Sequence, residues 1–274
     1  MSDNSNIPDL MFRAEVLDYQ GRLNAWANGS STGFPPLRDV GGAKFNYFLA
    51  KFDTYFASEK LEIYDQIHAR RFRNTAAMLG DYLERAANLI ELGGVSRIGH
   101  FAEKVFGARC EVYSKELRNP FEIASSSIDC VLCLEVLEHI KDAQWAETNI
   151  DRIATFNFSG VNNVFAECFR VLKPGGYLLM TTPNASSSDV ILRVIRGEHP
   201  HMFEPHVREY APLEVKSLGE RVGFVLEGFG TMFAWGVGSE VERDRVLRFI
   251  AELGGDPSNR GDDAVYVFAK PVEG

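Results

Sequence analysis

Acidic residues and histidines suited to proton transfer or metal binding follow an apolar run in the middle of the chain. They form the pattern Glu135-Val-Leu-Glu138-His139, and His206 lies further on in the segment EPHVREY. Histidine changes charge near neutral pH, so His139 or His206 could take the proton of an acceptor hydroxyl. Carboxylates and imidazoles also bind divalent cations, so all four residues are candidates for a metal site as well. Positions 135, 138 and 139 share one face if this segment is helical. A purely structural role for either histidine is the alternative.

A second set of acidic, serine and glycine residues ends two earlier strand-like runs. Glu91 lies at the end of the first run, Gly93, Gly94 and Ser96 come just after it, and the next run ends near Glu116. Glycine allows the backbone to approach a ligand closely, and an acid after a second strand is placed to accept hydrogen bonds from ribose hydroxyls. Because ligands of open α/β sheets bind at the carboxyl ends of the strands, this set predicts a site for a ribose-containing cofactor. A solvated loop carboxylate is the alternative for Glu116.

The elements that must position these residues are alternating strands and helices from residue 87 onward. This alternation is typical of a parallel sheet with crossover helices. The predicted strands cover residues 87–92, 110–115, 128–134, 176–182, 224–232 and 264–270, and the predicted helices cover residues 99–106, 142–150, 160–172, 212–222 and 241–253. The last strand, AVYVFAK, is predicted to lie at an edge of the sheet.

The segment before this pattern is predicted to be helical. Apolar spacing indicates a helix over residues 8–28, a loop rich in Gly, Ser and Pro follows, and residues 43–86 have the pattern of two or three helices. Aromatic residues recur along these helices, among them Tyr64 and Phe72. Helix packing is the simple interpretation of the aromatics, and lining of a substrate pocket is the alternative. The chain is therefore divided into a helical extension, residues 1–86, and an α/β domain, residues 87–274.

Composition and charge limit the class of partner. The formal net charge of −9 disfavours a broad nucleic-acid-binding face, which is usually basic. Cys130 and Cys133 point to opposite faces of one predicted strand, so buried thiols are expected there rather than a metal site or a disulfide. No N-terminal stretch resembles a signal peptide, and no apolar run approaches the roughly 18 residues that span a membrane. A cytoplasmic protein with a small-molecule partner is expected, and its oligomeric state is left open.

Three longer segments carry a resemblance to a known family. They are NPFEIASSSIDCVLCLEVLEHIKD from residue 119, FAECFRVLKPGGYLLMTTPN from residue 165 and HVREYAPLEVKSLGERVGF from residue 206. Together they resemble the class I S-adenosylmethionine-dependent methyltransferases, and the resemblance runs from about residue 87 to residue 270. It implies a Rossmann-like, seven-stranded α/β sheet whose last strand is antiparallel. It also implies S-adenosylmethionine as the methyl donor and S-adenosylhomocysteine as the product.

The resemblance assigns roles to the residues at the strand ends. In the family, the first glycine-rich turn holds the methionine part of the cofactor, an acid after the second strand binds the ribose, and the stretch after a later strand flanks the adenine. The residues of this chain at those positions are Glu91, Gly93, Gly94, Ser96, Glu116, Leu134 and Glu135. These seven are the predicted cofactor-binding residues.

The chain departs from the family pattern in two places. Val95 and Arg97 stand where glycines are expected, the loop is about two residues longer, and Gly99 can serve as the last small residue before the helix. A family helix and most of a strand are also missing, because the chain runs almost directly from Glu116 to Pro120. The acids and remaining glycines are kept, which favours a working cofactor loop over the relic of a lost site.

The predicted function is transfer of a methyl group to a small-molecule acceptor, for example a hydroxyl of a sugar or natural-product intermediate. Residues 1–60 and 185–205 are predicted to cover the acceptor, because segments in those places commonly do so in this family. One alternative is a non-catalytic binding or scaffold protein that kept the fold, which the broken glycine pattern motivates. Another is divalent-metal-assisted O-methylation. The pattern at 135–139 resembles the E-x-x-E-H of ubiquinone-pathway O-methyltransferases and small-RNA 3′-end methyltransferases, which can hold an ion there.

Overall fold

A computed structural model describes residues 33–141, 159–201, 203, 205–235 and 239–272. Residues 1–35 and 36–274 form two separate units. The predicted helices over residues 8–28 and 142–150 lie outside the described residues.

Six strands form one sheet in the described part of the chain. They are β1 Asn88–Leu92, β2 Arg109–Tyr113, β3 Ile128–Leu134, β4 Leu172–Pro183, β5 Val225–Met232 and β6 Asp263–Ala269, in the order β2-β1-β3-β4-β6-β5. The first four strands pair in parallel, and β6 pairs antiparallel with both β4 and β5. The Rossmann-like α/β class and the antiparallel last strand are confirmed. The seven-stranded sheet is not confirmed: the described residues form six strands, and none lies between β2 and β3.

The predicted edge position of the last strand is wrong. Strand β6 lies between β4 and β5, and each of its seven residues is buried. Both neighbours take up its backbone hydrogen bonds, and an uninterrupted apolar run is typical of a strand covered on both faces. The short apolar stretch AVYVFAK therefore marks the interior of the sheet rather than its edge.

Eight α-helices are described. They are α1 Ala43–Ser58, α2 Ile63–Ile67, α3 Ala69–Arg85, α4 Arg97–Phe101, α5 Ser159–Val171, α6 Ser188–Ile195, α7 Pro212–Arg221 and α8 Glu240–Glu252, and α4 continues into a π-helical turn, Ala102–Phe106. Three of them lie within residues 43–86, as predicted. Helix α6 was not predicted as a helix, and it packs against α8. None of the described helices combines the length and apolar character that crossing a bilayer requires.

Helices cover both faces of the sheet. On one face, Phe52 of α1 and Leu79 of α3 join a cluster with Leu132 of β3. On the other face, Phe165 of α5 makes an edge-to-face contact with Phe268 of β6 at 5.9 Å between ring centroids. This three-layer packing fixes the carboxyl ends of β1 to β4 side by side. Cys130 and Cys133 are both buried, as expected for thiols in this strand.

Candidate functional site

One cavity of about 640 Å³ opens at the carboxyl ends of β1 to β4. All seven residues predicted from the sequence to bind a cofactor line it, and so does His139. The cavity is also lined by residues of α2 and α3, which precede the sheet in the chain. His206 and Glu138 are not among the residues that line it. The sheet therefore brings together residues that are far apart in the sequence.

The glycine-rich turn needs glycine at one position. Gly93 has a φ of +87°, a conformation that favours glycine, and its N–H donates to Tyr113 O at 3.0 Å. Val95 is not among the residues with positive φ, and its side chain is exposed. A side chain at Val95 is therefore tolerated, and the departure from the family pattern leaves the turn intact. Gly94 lines the cavity and has open space where a Cβ would lie.

Glu91 stabilises this turn through a hydrogen bond to its backbone. Its side chain is buried, its carboxylate accepts the N–H of Ser96 at 3.0 Å, and burial raises the pKa of the carboxyl group. Ser96 in turn caps α4, because its hydroxyl oxygen accepts the N–H of Ile98 at 3.0 Å. The turn between β1 and α4 is thus held at both ends by hydrogen bonds to its backbone.

Gly99 allows Glu91 to take this position. A Cβ at Gly99 would lie 2.4 Å from Glu91 Oε2 and 3.0 Å from Cys110 Sγ. At an ordinary helical site, Gly→Ala stabilises by about 0.5–1 kcal/mol. Here the clash should reverse the sign, and we expect Gly99→Ala to lower the free energy of unfolding by about 1–3 kcal/mol in urea denaturation. Gly94→Ala, which meets nothing, is the control; equal stability of both variants would contradict the packing described.

Glu116 lines the cavity at a position after β2. Its carboxylate accepts two hydrogen bonds from the Arg118 guanidinium, from Nε at 2.9 Å and from Nη2 at 2.8 Å. This pairing lowers the pKa of Glu116 to about 2. The carboxylate is therefore ionised at neutral pH and able to accept hydrogen bonds from hydroxyl groups that enter the cavity.

A buried ion pair forms the floor of the cavity. Arg71 of α3 places Nη1 3.3 Å from Glu135 Oε2, and Glu135 Oε1 accepts the hydroxyl hydrogen of Thr181 at 2.7 Å. Tyr64 of α2 accepts a hydrogen bond from Arg71 Nη2 at 3.2 Å. Sequence reasoning missed Arg71. Arg71 shares its helical spacing with Thr75, Met78 and Tyr82, and all of them are buried. This spacing could have indicated that a charged residue lies on the inward face of the helix.

Glu138, His139 and His206 converge beside the cavity. One ligand atom from each lies within 4.8 Å of the others, and the two imidazole rings meet edge to face with centroids 4.9 Å apart. Burial, together with the nearby His206, lowers the pKa of His139, so its ring is neutral at neutral pH. His206 Nδ1 lies 2.8 Å from Glu209 Oε1. Burial raises the pKa of Glu138, whose Oε1 has no hydrogen-bond partner among the described residues.

Glu135 stands apart from this group of three. It has a φ of 56°, and only the residues Leu137–His139 after it form a single 3₁₀ turn. Positions 135, 138 and 139 therefore do not share a helical face, and Glu135 is directed to Arg71 instead. Of residues 1–60 and 185–205, those that the structure describes do not line the cavity. Tyr64 and Phe72, two of the aromatics in the helical segment, do line it.

Comparisons with known proteins agree on one family. A family model described as a methyltransferase domain matches residues 51–227. The chain is 22% identical to a ubiquinone biosynthesis O-methyltransferase of Vibrio atlanticus over 187 residues, which are 68% of either chain. It is 23% identical over 134 residues to the protein of the same name from Thiobacillus denitrificans, and this alignment spans only 50% of that relative.

Solved structures of methyltransferases also resemble the chain. One is a SAM-dependent methyltransferase from Archaeoglobus fulgidus, with 13% identity and a TM-score of 0.47, covering 84% of this chain and 95% of that one. Another is phosphoethanolamine N-methyltransferase 2 of Haemonchus contortus in complex with S-adenosyl-L-methionine, with 15% identity and a TM-score of 0.46. The match covers 84% of this chain and 61% of that one. The family match over more than half of the chain shows that it belongs to the class I S-adenosylmethionine-dependent methyltransferases.

Proposed function

We propose that this methyltransferase transfers a methyl group to a hydroxyl of a small molecule, such as a sugar or natural-product intermediate. The observation that carries the proposal is the single cavity in which the glycine turn, Glu116 and His139 meet. Two relatives bear the name ubiquinone biosynthesis O-methyltransferase, which supports oxygen as the methylated atom. Family membership favours an enzyme over the scaffold alternative.

The residues present fit S-adenosylmethionine. The cavity volume of about 640 Å³ is in the range of small-molecule sites, roughly 300–1,000 Å³. Gly93 and Gly94 add no side chains at the start of the turn, and a Cβ at Gly94 would meet no atom within 4 Å. Glu116 offers a carboxylate to the ribose hydroxyls, and Leu134 and Glu135 line the cavity at the end of β3. When bound, the cofactor supplies the methyl group of its sulfonium.

The residues of the cavity position the two reacting molecules and supply a proton acceptor. Methyl transfer is an in-line displacement, so most of the rate comes from holding the two reacting atoms in line. His139 is neutral and faces the cavity, and it takes the proton that leaves the acceptor hydroxyl as the new O–C bond forms. Phe72 and Tyr64 provide apolar and aromatic surface at the end of the cavity that α2 and α3 form.

Replacement of Glu116 by alanine tests the cofactor side of the proposal. The variant should bind S-adenosylhomocysteine more weakly by about 1.5–3 kcal/mol, because a charge-assisted hydrogen-bond acceptor for the ribose is lost. Titration calorimetry measures the difference. Glu111→Ala is the matched control, since Glu111 is an exposed acid of β2 that does not line the cavity. Equal affinity of Glu116→Ala and wild type would mean that another residue binds the ribose.

Metal-assisted methylation is a second candidate, favoured by the convergence of Glu138, His139 and His206. One carboxylate and two imidazoles suit Zn²⁺ or another borderline cation, and Oε1 of that carboxylate, in Glu138, has no hydrogen-bond partner among the described residues. Under this hypothesis the three side chains would hold an ion beside the cavity. Glu135 does not join them, because it is paired with Arg71.

Metal content separates the two candidates. If an ion is held, purified protein loaded with Mn²⁺ or Zn²⁺ should retain about one equivalent after gel filtration, and His206→Ala should lose it. His199→Ala is the control, because His199 is exposed and lies outside the group of three. Equal retention by wild type and His206→Ala would remove this candidate.

A further inference from the structure

Arg97 stands at a position where the family pattern has glycine, and its side chain makes a specific contact. The guanidinium meets the carboxylate of Asp65 in a two-point contact, with Nε 2.8 Å from Oδ1 and Nη2 bonded to Oδ2. Nη2 also donates to the carbonyl oxygen of Lys60 at 3.1 Å, and Nη1 lies 3.5 Å from Glu59 Oε2. A planar guanidinium suits this paired geometry, which fixes direction as well as charge.

The partner of Arg97 belongs to a helix that buries little apolar surface. Asp65 is the only buried residue among the five of α2. Ile63 and Ile67 on the same helix are 77% and 66% exposed. A helix this short is not stable by itself, and it has no apolar face against the core. The two-point contact between Asp65 and Arg97 therefore anchors this helix, together with the ring contacts of Tyr64 with His68 and Phe72.

Helix α2 forms part of the cavity through Tyr64. The Tyr64 hydroxyl accepts a hydrogen bond from Arg71 on the cavity floor, at 3.2 Å. On the other side, Arg97 directly follows Ser96, whose backbone N–H is bound by Glu91 and which lines the cavity. We call Gly93–Ser96 the cofactor loop and helix α2 the acceptor wall. The two are joined by the contact between Arg97, which follows the loop in the chain, and Asp65, which is next to Tyr64.

We propose that Arg97 is a positioning residue that couples the cofactor loop to the acceptor wall. When the loop is ordered by the cofactor, the α4 turn that begins with Arg97 is fixed, and the two-point contact then fixes Asp65. Tyr64 is held against Arg71 as a result, and the end of the cavity where the acceptor enters takes its final form. This proposal rests on the proposed function, because it requires the cofactor to bind at the loop.

The test follows hydrogen exchange of residues 60–68 with and without S-adenosylhomocysteine. In wild type, the ligand should slow exchange in this segment at least about tenfold, which corresponds to about 1.4 kcal/mol. Arg97→Ala should still bind the ligand and protect residues 91–96, but the protection of residues 60–68 should be lost. Arg97→Lys, which keeps the charge without the two-point geometry, should restore only part of the protection.

The chain contains a matched control pair. Arg73 Nε and Nη2 bond Asp53 Oδ1 and Oδ2 at 2.7 and 2.9 Å, a similar contact between α3 and α1 that does not line the cavity. Arg73→Ala should behave as wild type in both segments. Should Arg97→Ala fail to fold, Asp65→Asn replaces it, with the same loss expected.

The outcomes separate this proposal from the proposed function. Ligand binding without protection of residues 60–68 in wild type overturns the coupling alone. So does protection that survives in Arg97→Ala, or that is lost equally in Arg73→Ala. Failure of wild type to bind S-adenosylhomocysteine at all overturns the proposed function, and the coupling with it.

Discussion

Replacement of His139 by alanine should lower kcat by about 10²–10⁴-fold and leave the affinity for S-adenosylhomocysteine nearly unchanged. The ring lines the cavity and is about half exposed; partial burial and the nearby His206 lower its pKa, so it is neutral at neutral pH. A neutral imidazole can accept a proton at the moment the acceptor oxygen attacks. The cofactor residues lie on other strand ends, so binding of S-adenosylhomocysteine should not depend on this ring.

The companion variant His206→Ala distinguishes a base from a metal ligand. His206 is mostly buried, bonds Glu209 and contacts His139 edge to face, but it does not line the cavity. If His139 acts as the base, His206→Ala should cost much less than His139→Ala. If the two residues hold an ion, both variants should lose activity to a similar extent and a chelator should reproduce the loss. Turnover of both variants within a few-fold of wild type would mean that neither is required and that catalysis rests on proximity.

Much of the site could be predicted because it follows strand ends. Apolar runs that stop at Leu92 and Leu134 show where the backbone leaves the sheet, and the polar residues after them must gather at one edge. For this reason all seven predicted cofactor residues line one cavity. Their roles in binding stay predictions until a ligand is measured. The break at Val95 proved harmless to the turn, because only Gly93 requires a positive φ.

The acceptor side could not be predicted in the same way, because it depends on how helices dock against the sheet. Arg71 lies on an amphipathic helix, and nothing local to its sequence identifies Glu135 as its partner. The expectation that position 135 shares a helical face with 138 and 139 failed because the backbone turns at Glu135, which has a positive φ. The interior place of β6 is likewise set by pairing with strands that are distant in the chain.

The buried pair of Arg71 and Glu135 gives the second large expected effect. Arg71→Met should lower the free energy of unfolding by about 3–5 kcal/mol, since it leaves the buried Glu135 carboxylate without a cation. Their side chains are only 7% and 11% exposed, so solvent screens the lost interaction little. Arg71 also counteracts the rise in the pKa of Glu138 and of Asp263 that burial causes, and its removal leaves both acids less compensated. Urea denaturation at neutral pH measures the loss.

Two further variants determine whether the pair stabilises the fold or serves the site. Arg73→Met removes an exposed arginine of the same helix from its partner Asp53 and should cost at most about 1 kcal/mol. The double variant Arg71→Met/Glu135→Gln removes both charges while an amide oxygen still accepts from Thr181, and it should recover much of the stability. If the double variant loses as much free energy of unfolding as Arg71→Met, packing and not charge is responsible for the loss. Because Arg71 and Glu135 both line the cavity, a double variant that is stable but inactive would indicate that the chain keeps these two charges for the reaction.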